Sequence, residues 1–191
     1  MRDTVYVFAR APRMGTVKRR LAAGIGQQAA LQFYRRTLTA TLRRLMCDRR
    51  FRTVLALTPD GARAVWPRGL TVVRQGRGNL GARMRRACAR HPHGRVAIVG
   101  SDLPNLKAAD VALAFRKLGS AAACFGPAVD GGYWLVALGP RRPTDPFAHV
   151  RWSGEQALGD TLANFRGRKV ALLRMLRDVD TVDDLHAAMN P

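Results

Sequence analysis

The chain has 191 residues, of which 47% are apolar and 24% are charged, and its formal net charge is +20. This length suits a single α/β domain spanning 1–191, and its apolar content argues against a disordered chain. No apolar stretch approaches the ~20 residues that cross a bilayer, and the N-terminus lacks the pattern of a signal peptide. The three cysteines are widely spaced and form no CxxC motif, which argues against a disulfide framework or a zinc site. We therefore expect a cytoplasmic protein without a membrane span.

The basic residues are almost all arginine, which accounts for 29 of the 33 lysines and arginines. They occur in pairs along the whole chain and are not interleaved with aromatic residues, as a base-stacking surface would require. We interpret most of them as a solvated surface whose positive field attracts polyphosphate substrates, and we expect no specific nucleic-acid partner. A nucleic-acid-binding module remains an alternative on charge alone, since the pI is about 11.7.

Short runs rich in β-branched residues alternate with helical patterns along the chain. The alternation predicts an α/β fold, a three-layer α/β/α sandwich with a mostly parallel sheet. The predicted strands are 4–9, 53–57, 70–73, 95–99, 121–125, 133–138 and 170–173, and the predicted helices are 26–46, 82–90, 108–118, 155–165 and 182–189. In the first helix the expected core residues are Ala29, Leu31, Phe33, Leu38, Leu42 and Leu45.

The loop after the first strand is basic and contains Arg10, Pro12 and Gly15, with Lys18 and Arg20 just inside a helix start. Glycine lets backbone N–H groups approach a phosphate closely, and a helix N-terminus adds partial positive charge. Lys18 would neutralise a phosphate, and Arg10 or Arg20 could bind it through two donors. The spacing is not that of a Walker A loop, so an ordinary strand-to-helix turn is the alternative.

The segment 76–81 matches GxGxxG, follows the third strand and opens a helix. Asp102 lies 21 residues beyond Gly81, close to the spacing of a ribose-binding carboxylate in dinucleotide-binding proteins. An NAD(P)-binding oxidoreductase is therefore an alternative. Against it, the motif follows the third strand rather than the first, and the basic loop would have no role.

Asp102 follows the fourth strand, at the edge of a parallel sheet where ligands bind. A carboxylate there can ligate Mg²⁺ that bridges phosphate oxygens, although an Asx-turn or a helix N-cap is the alternative. The acidic run 178–184 begins the last helix, and capping cannot use every carboxylate in it. Either Asp178 or Asp180 is thus left to face the metal.

Two further segments are candidates for contacting an acceptor. Asp130, Gly131 and Gly132 form a turn signal between two strands, and Tyr133 begins the second of these strands. Trp152 and Ser153 precede a predicted helix, and Ser153 can equally be its cap.

Together these motifs resemble the radical-SAM/selenodomain-associated "transferase 1" family, which is glycosyltransferase-A-like and similar to 2-phospholactate guanylyltransferase. The resemblance runs from the first strand to the last helix and is carried by the segments 8–21, 75–81, 100–104, 130–135, 152–155 and 178–181. Arg19, Asn79, Asn105 and Gly154 depart from the family pattern, in which a small residue, Asp, Asp and Thr are usual.

The resemblance implies a nucleotide-diphospho-sugar transferase fold that binds a nucleotide and Mg²⁺ or Mn²⁺. The metal would be held by Asp102 and by one of Asp178 and Asp180, and the catalytic residues would be Asp102, Lys18 and Asp130. The residues implied to contact the nucleotide are Arg10, Pro12, Gly15, Lys18, Arg20, Gln75, Gly76, Gly78, Gly81 and Ser101. Those implied to contact the acceptor are Gly131, Gly132, Tyr133, Trp152 and Ser153.

We therefore expect a metal-dependent transferase that uses a nucleotide-sugar donor and a small-molecule acceptor. The alternative is a nucleotidyltransferase that joins an NTP to a phosphorylated acceptor and releases pyrophosphate. Both reactions need positioning and charge neutralisation rather than a covalent enzyme intermediate. The oxidoreductase and nucleic-acid alternatives rank below them.

Overall fold

Strands and helices alternate along the computed structural model, which describes residues 2–152 and 154–189. In chain order they are β1 (Thr4–Arg10), α1 (Arg19–Ile25), α2 (Gln27–Met46), β2 (Arg52–Thr58), β3 (Thr71–Arg74), α3 (Leu80–Ala89), β4 (Val96–Val99), α4 (Ala108–Lys117), β5 (Ala123–Pro127), β6 (Tyr133–Leu138), α5 (Ala157–Ala163), β7 (Val170–Leu172) and α6 (Val182–Met189).

The strands form one sheet in the order β3-β2-β1-β4-β6-β5-β7. The pairs from β3 to β4 are parallel, and β5 is parallel to β7. Only β6 runs against both of its neighbours, which confirms the expected mostly parallel sheet. Because β6 is reversed, its first residue, Tyr133, lies at the same edge of the sheet as the carboxyl ends of β1 and β4.

Helices cover both faces of the sheet, so the predicted three-layer arrangement is confirmed. On one face α2 and α4 pack against side chains such as Val5, Val7 and Leu55. On the other face α3 and α5 pack against Tyr6, Val54 and neighbouring side chains. Alternate residues of β1 thus enter opposite cores, as the two-residue repeat of a strand requires.

The first helical region differs from its prediction in its boundary and its buried face. A separate helix, α1, precedes α2, and Gly26 with φ 85° joins the two. Ala29, an expected core residue, is exposed, whereas Ala30 and Tyr34 are buried. Phe33 is only partly buried and packs instead against α1 and α6. Leu31, Leu38, Leu42 and Leu45 are buried as predicted, so the error in the buried face is confined to the first turns of α2, where α1 packs against it.

Among the residues that the structure describes, none of the helices is both long and apolar enough to cross a membrane.

Candidate functional site

Chemistry-bearing side chains meet where β1 and β4 end and β6 begins. Parallel strands present the loops at their carboxyl ends on one edge, where a ligand can reach several loops together. The loop from β1 to α1 contributes Lys18, the end of β4 contributes Asp102, and the segment before α6 contributes Asp178 and Asp180. The sequence predicted that the loops after the first and fourth strands meet at this edge, as Lys18 and Asp102 do, and the roles assigned to these residues remain predictions.

Three carboxylates form the centre of the site. One oxygen from each of Asp102, Asp178 and Asp180 lies within 4.8 Å of the others. Both Asp178 and Asp180 lie in the cluster, and the sequence left open which of them would face a metal. Neither aspartate is needed to cap α6: the Asp184 backbone N–H donates to the Thr181 hydroxyl at 3.2 Å, and the Thr181 N–H donates to the Asp184 carboxylate at 3.0 Å.

Lys18 lies against this cluster. Its Nζ donates to Asp102 Oδ2 at 2.5 Å and to Asp180 Oδ1 at 2.7 Å, and only 4% of its side chain is exposed. Lys18 adopts the left-handed conformation with φ 49° at the start of α1, which is uncommon for a residue with a side chain. Burial lowers the Lys18 pKa, but the two carboxylates outweigh this effect, so the pKa is raised and the amine is charged.

The partly buried Asp178 carboxyl has an unusual protonation equilibrium. Its pKa is raised to about 6, chiefly by burial and further by the nearby charges of Asp102 and Asp180, while the charge of Lys18 acts in the opposite direction. Three carboxylates and one ammonium leave the cluster negatively charged. Oxygen ligands of this kind suit a hard divalent cation such as Mg²⁺, and also Mn²⁺.

The loop that presents Lys18 is tied to the sheet through Tyr34, which the sequence did not single out. The Tyr34 hydroxyl accepts from the Arg10 backbone N–H at 3.0 Å, donates to the Arg10 carbonyl at 2.9 Å and lies 3.2 Å from Ser101 Oγ. Burial raises the Tyr34 pKa. A tyrosine on the core face of α2 was the only available signal. The predicted nucleotide ligand Ser101 is buried in this network.

Other predicted phosphate ligands in the same loop are accessible or support its shape. The Arg10 guanidinium donates to the Thr16 carbonyl at 3.0 Å, and the Pro12 carbonyl accepts from Arg35 at 3.2 Å. Gly15 has φ 72°, and Arg20 is exposed on α1. Their contact with a nucleotide remains a prediction.

The glycine loop lies after the edge strand β3. Gly76 and Gly78 have φ values of 80° and 103°, which explains why glycine is needed there. The predicted nucleotide ligand Gln75 is buried, and its amide nitrogen donates to the carbonyls of Ala9 and Ala56 at 3.1 and 2.8 Å. The amide nitrogen of Gln75 therefore bridges the ends of β1 and β2 through these two hydrogen bonds. Contact between Gln75 and a nucleotide remains a prediction.

Arg86 is a second residue that the sequence did not indicate. Its guanidinium donates to the carbonyls of Gln75 and Arg77 at 2.6 and 3.1 Å and so stabilises the glycine loop. At Gly81, a Cβ atom would lie 2.8 Å from Trp152 Cζ2. The glycine loop therefore contacts the segment predicted to bind the acceptor.

A cavity of about 230 Å³ opens beside the carboxylates. The predicted acceptor residues Gly132, Tyr133 and Trp152 line it, together with Asp102, Asp130 and Asp178. Ser153 lies outside the described residues.

The wall of this cavity is fixed by close backbone packing. Gly131 has φ 80°, and a Cβ there would collide with the backbone of Glu155. The Leu158 N–H donates to the Gly131 carbonyl at 3.1 Å, and the Gly132 N–H donates to Asp130 Oδ1 at 3.0 Å. The turn 130–132 is therefore held against the start of α5, with the Asp130 side chain at the surface.

The chain matches the profile of one sequence family and is similar in fold to several solved structures. The profile of a family described as "Uncharacterized protein conserved in bacteria (DUF2064)" matches residues 41–154. That range includes the glycine loop, Asp102 and Asp130, while Lys18, Asp178 and Asp180 lie outside it. None of the curated proteins matches the sequence significantly.

Among solved structures, a provisionally named nucleotide-diphospho-sugar transferase from Desulfovibrio desulfuricans G20 is 28% identical, with a TM-score of 0.91. The match covers 98% of this chain and 87% of that one. Rv0371c from Mycobacterium tuberculosis H37Rv, in complex with manganese, is 18% identical with a TM-score of 0.55, over 100% and 99% of the two chains. A CMP:2-keto-3-deoxy-manno-octonic acid synthetase complexed with CTP is 9% identical with a TM-score of 0.60, over 100% and 99%. At these low identities, the last two structures show only that the fold is the same as that of this chain.

Proposed function

The chain belongs to the DUF2064 family, and from its site we propose that it is a divalent-metal-dependent transferase that uses a nucleotide-sugar donor. The observation that carries the proposal is the meeting of Asp102, Asp178 and Asp180 with Lys18 beside a cavity at the carboxyl edge of the sheet. The similarity to solved nucleotide-dependent transferases supports the same class of enzyme.

Asp102, Asp178 and Asp180 are the residues that would hold Mg²⁺ or Mn²⁺. Their oxygens come from two distant segments and already lie within 4.8 Å of one another, so little rearrangement is needed to surround one cation. The ion, when bound, supplies charge neutralisation to the diphosphate of the donor. The manganese in the Rv0371c complex, on the same fold, agrees with this assignment.

The nucleotide would lie over the ends of β1–β3, between the two loops that follow β1 and β3. Arg10, Lys18 and Arg20 would supply positive charge on one side of it. The glycine loop, whose Gly76 N–H donates to Asp60 Oδ1 at 3.1 Å, would border it on the other side. The acceptor would occupy the cavity on the other side of the carboxylates. This arrangement places the reacting bond near Asp102.

In the proposed reaction an acceptor hydroxyl attacks the anomeric carbon of the donor sugar. The bond between that carbon and the diphosphate oxygen breaks, and the nucleoside diphosphate leaves with the electron pair. The hydroxyl proton passes to the Asp130 carboxylate, which lies at the cavity mouth, and from there to water. Asp130 acts as the general base, and the charge of Lys18 stabilises the leaving diphosphate.

Nucleotidyl transfer is the second candidate, and the basic loop favours it. Arg13, Lys18, Arg19 and Arg20 lie within eight residues, enough positive charge to hold a leaving pyrophosphate. An acceptor oxygen would then attack the α-phosphorus of an NTP, with loss of pyrophosphate. The CTP-bound neighbour and the resemblance to 2-phospholactate guanylyltransferase support this reaction.

The first test is metal binding. Wild-type protein should bind Mn²⁺, measured by the loss of the free-ion signal in electron paramagnetic resonance, and Asp102→Asn should weaken binding at least tenfold. Asp145→Asn is the matched control, since Asp145 pairs with Arg85 outside the cluster. Equal Mn²⁺ binding by wild type and Asp102→Asn would refute the metal role.

The second test separates the two reactions. With Mn²⁺ present, NTPs, nucleoside diphosphates and nucleotide sugars are compared by the rise in unfolding temperature, since a ligand at ~100 times its Kd adds ~2.7 kcal/mol. The selected donors are then incubated with pooled hydroxylated acceptors. Release of a nucleoside diphosphate supports sugar transfer, and release of pyrophosphate supports nucleotidyl transfer. Absence of both products, without metal-dependent stabilisation, would refute a nucleotide-dependent transferase.

A further inference from the structure

The cavity beside the carboxylates has a volume of about 230 Å³. Sites for drug-sized ligands are larger, at about 300–1,000 Å³, so this cavity suits a group of about one ring. It lies between the end of β4, the turn before β6 and the start of α5.

The charge of the cavity lining contrasts with that of the whole chain. The sequence carries 33 lysines and arginines, yet every charged residue among the described lining residues is an aspartate: Asp102, Asp130 and Asp178. Lys18 is not among the described lining residues, and its ammonium donates to Asp102 and Asp180 at the metal end of the site. When a metal ion is bound by Asp102 and Asp178, Asp130 remains as the lining carboxylate outside the metal cluster, and none of the described lining residues is a cation that would balance it. An anionic group at the Asp130 end of the cavity would therefore be repelled.

Three aromatic residues, Tyr133, Trp134 and Trp152, also line the cavity. Trp152 is partly exposed and held by its contact with Gly81. The Trp134 indole N–H is already used, since it donates to the Arg174 carbonyl at 3.1 Å, and the Tyr133 ring stacks edge-on against Phe125 with centroids 5.3 Å apart. Aromatic faces bind the C–H faces of rings, while the aspartates accept hydrogen bonds from hydroxyls.

We propose that this cavity binds an uncharged, hydroxyl-bearing ring, such as a sugar or a cyclic polyol, and rejects phosphorylated or carboxylated rings. Only the statement that this ring is a reactant of the transferase rests on the proposed function. The inference then gives the chemical class of the reactant that the cavity binds. It also disfavours the variant of nucleotidyl transfer in which the acceptor is phosphorylated.

The test uses pairs of probes that differ only in charge: glucose, galactose, mannose and myo-inositol, each against its monophosphate, with glucuronate as a carboxylated probe. Binding to the full chain is measured by saturation-transfer NMR. Diamagnetic Mg²⁺ and a nucleoside diphosphate are present, so that the metal end is filled. At least one neutral ring should bind, and it should bind more than tenfold more tightly than its phosphorylated partner. Tighter binding of the phosphorylated partner, or no binding by any neutral ring, would overturn the inference.

Two variants locate the bound ring. Trp152→Leu should weaken the neutral probe at least fivefold, whereas Trp66→Leu, in a separate cavity beside α2, should not. Asp130→Asn should reduce the preference for the neutral probe several-fold, whereas Asp145→Asn should leave it unchanged. If Trp152→Leu leaves the affinity unchanged, the ring binds elsewhere and the assignment fails.

Metal and nucleotide binding in the same samples separates this inference from the proposed function. Metal-dependent nucleotide binding with a preference for phosphorylated rings would overturn the inference and leave the transferase proposal standing. Binding of neutral rings in a protein that binds neither metal nor nucleotide would uphold the cavity assignment and remove the transferase proposal.

Discussion

Replacing Lys18 with methionine tests whether its ammonium occupies the place of a metal ion. The substitution keeps the length of the side chain and removes its charge from between Asp102 and Asp180. Without metal, the three carboxylates then repel one another with no cation among them. The variant should be less stable than wild type in EDTA and should bind Mn²⁺ more tightly.

The expected loss in the free energy of unfolding follows from how exposed the two ion pairs of Lys18 are. Removing one partner of a fully buried pair costs about 3–5 kcal/mol, whereas an exposed pair contributes about 0–1 kcal/mol. The Lys18 side chain is 4% exposed, that of Asp102 28% and that of Asp180 47%, so solvent screens both carboxylates. We expect a loss of about 2 kcal/mol, which is about 4–8 °C in a domain of this size.

The affinity for Mn²⁺ should change in the opposite direction and increase in Lys18→Met. At an effective dielectric constant of about 20, two unit charges about 5 Å apart interact by roughly 3 kcal/mol, and solvent exposure reduces this value. An increase of about tenfold in Mn²⁺ affinity corresponds to about 1.4 kcal/mol and is the expected result. Mn²⁺ should therefore raise the unfolding temperature of Lys18→Met more than that of wild type.

The assay is thermal unfolding with EDTA and with increasing Mn²⁺, together with direct Mn²⁺ titration. Lys117→Met is the control, because Lys117 is exposed at the end of α4. If Lys18→Met binds Mn²⁺ no more tightly than wild type, Lys18 does not compete with the metal. If the variant is as stable as wild type in EDTA, the two ion pairs do not stabilise the protein.

Gly131→Ala should lower stability by about 2–4 kcal/mol in chemical denaturation, since a left-handed residue with a Cβ costs about 1–2 kcal/mol and the atom also meets the Glu155 backbone. Gly159→Ala, in open space within α5, should instead raise stability by about 1 kcal/mol; an equal effect of the two substitutions would contradict the packing argument. Of the three cysteines, only Cys47 is exposed, and burial raises the pKa of the other two thiols to about 12 and about 11. A thiol reagent should thus label one site in the native protein and three after unfolding, and rapid labelling of a second site would show that a core opens locally.

The sequence predicted every strand, and its account of the site was most accurate where residues follow strands directly. The position of Asp102 just beyond β4 was predicted correctly, because the fully buried run 96–99 marks clearly where that strand ends. The sequence left open whether Asp178 or Asp180 would face a metal, because the neighbouring polar residues offered several ways to cap α6. In the structure Thr181 and Asp184 cap this helix with each other, and both aspartates lie in the carboxylate cluster. That choice among neighbouring polar residues is made by geometry that residue types alone do not determine.

Other parts of the site depend on contacts between distant segments. Tyr34 and Arg86 act through backbone carbonyls and N–H groups, which have no sequence signature. In α2 the periodicity correctly predicted the burial of Leu31, Leu38, Leu42 and Leu45, and it was wrong at Ala29 near the start of the helix. There the separate helix α1 packs against α2, a contact that the pattern of α2 alone does not reveal.

The reversal of β6 divides the enzyme into two parts that can vary separately. The parallel strands β1–β3 carry the loops assigned to the nucleotide, whereas the β5–β6 hairpin and α5 form the wall of the cavity. A lengthened or shortened turn at 128–132 would reshape that wall while leaving the hydrogen-bond ladder of β1–β3 intact. If the proposed function holds, exchanging this hairpin between family members should change the acceptor preference while retaining the donor, and it gives protein engineering a defined segment to vary.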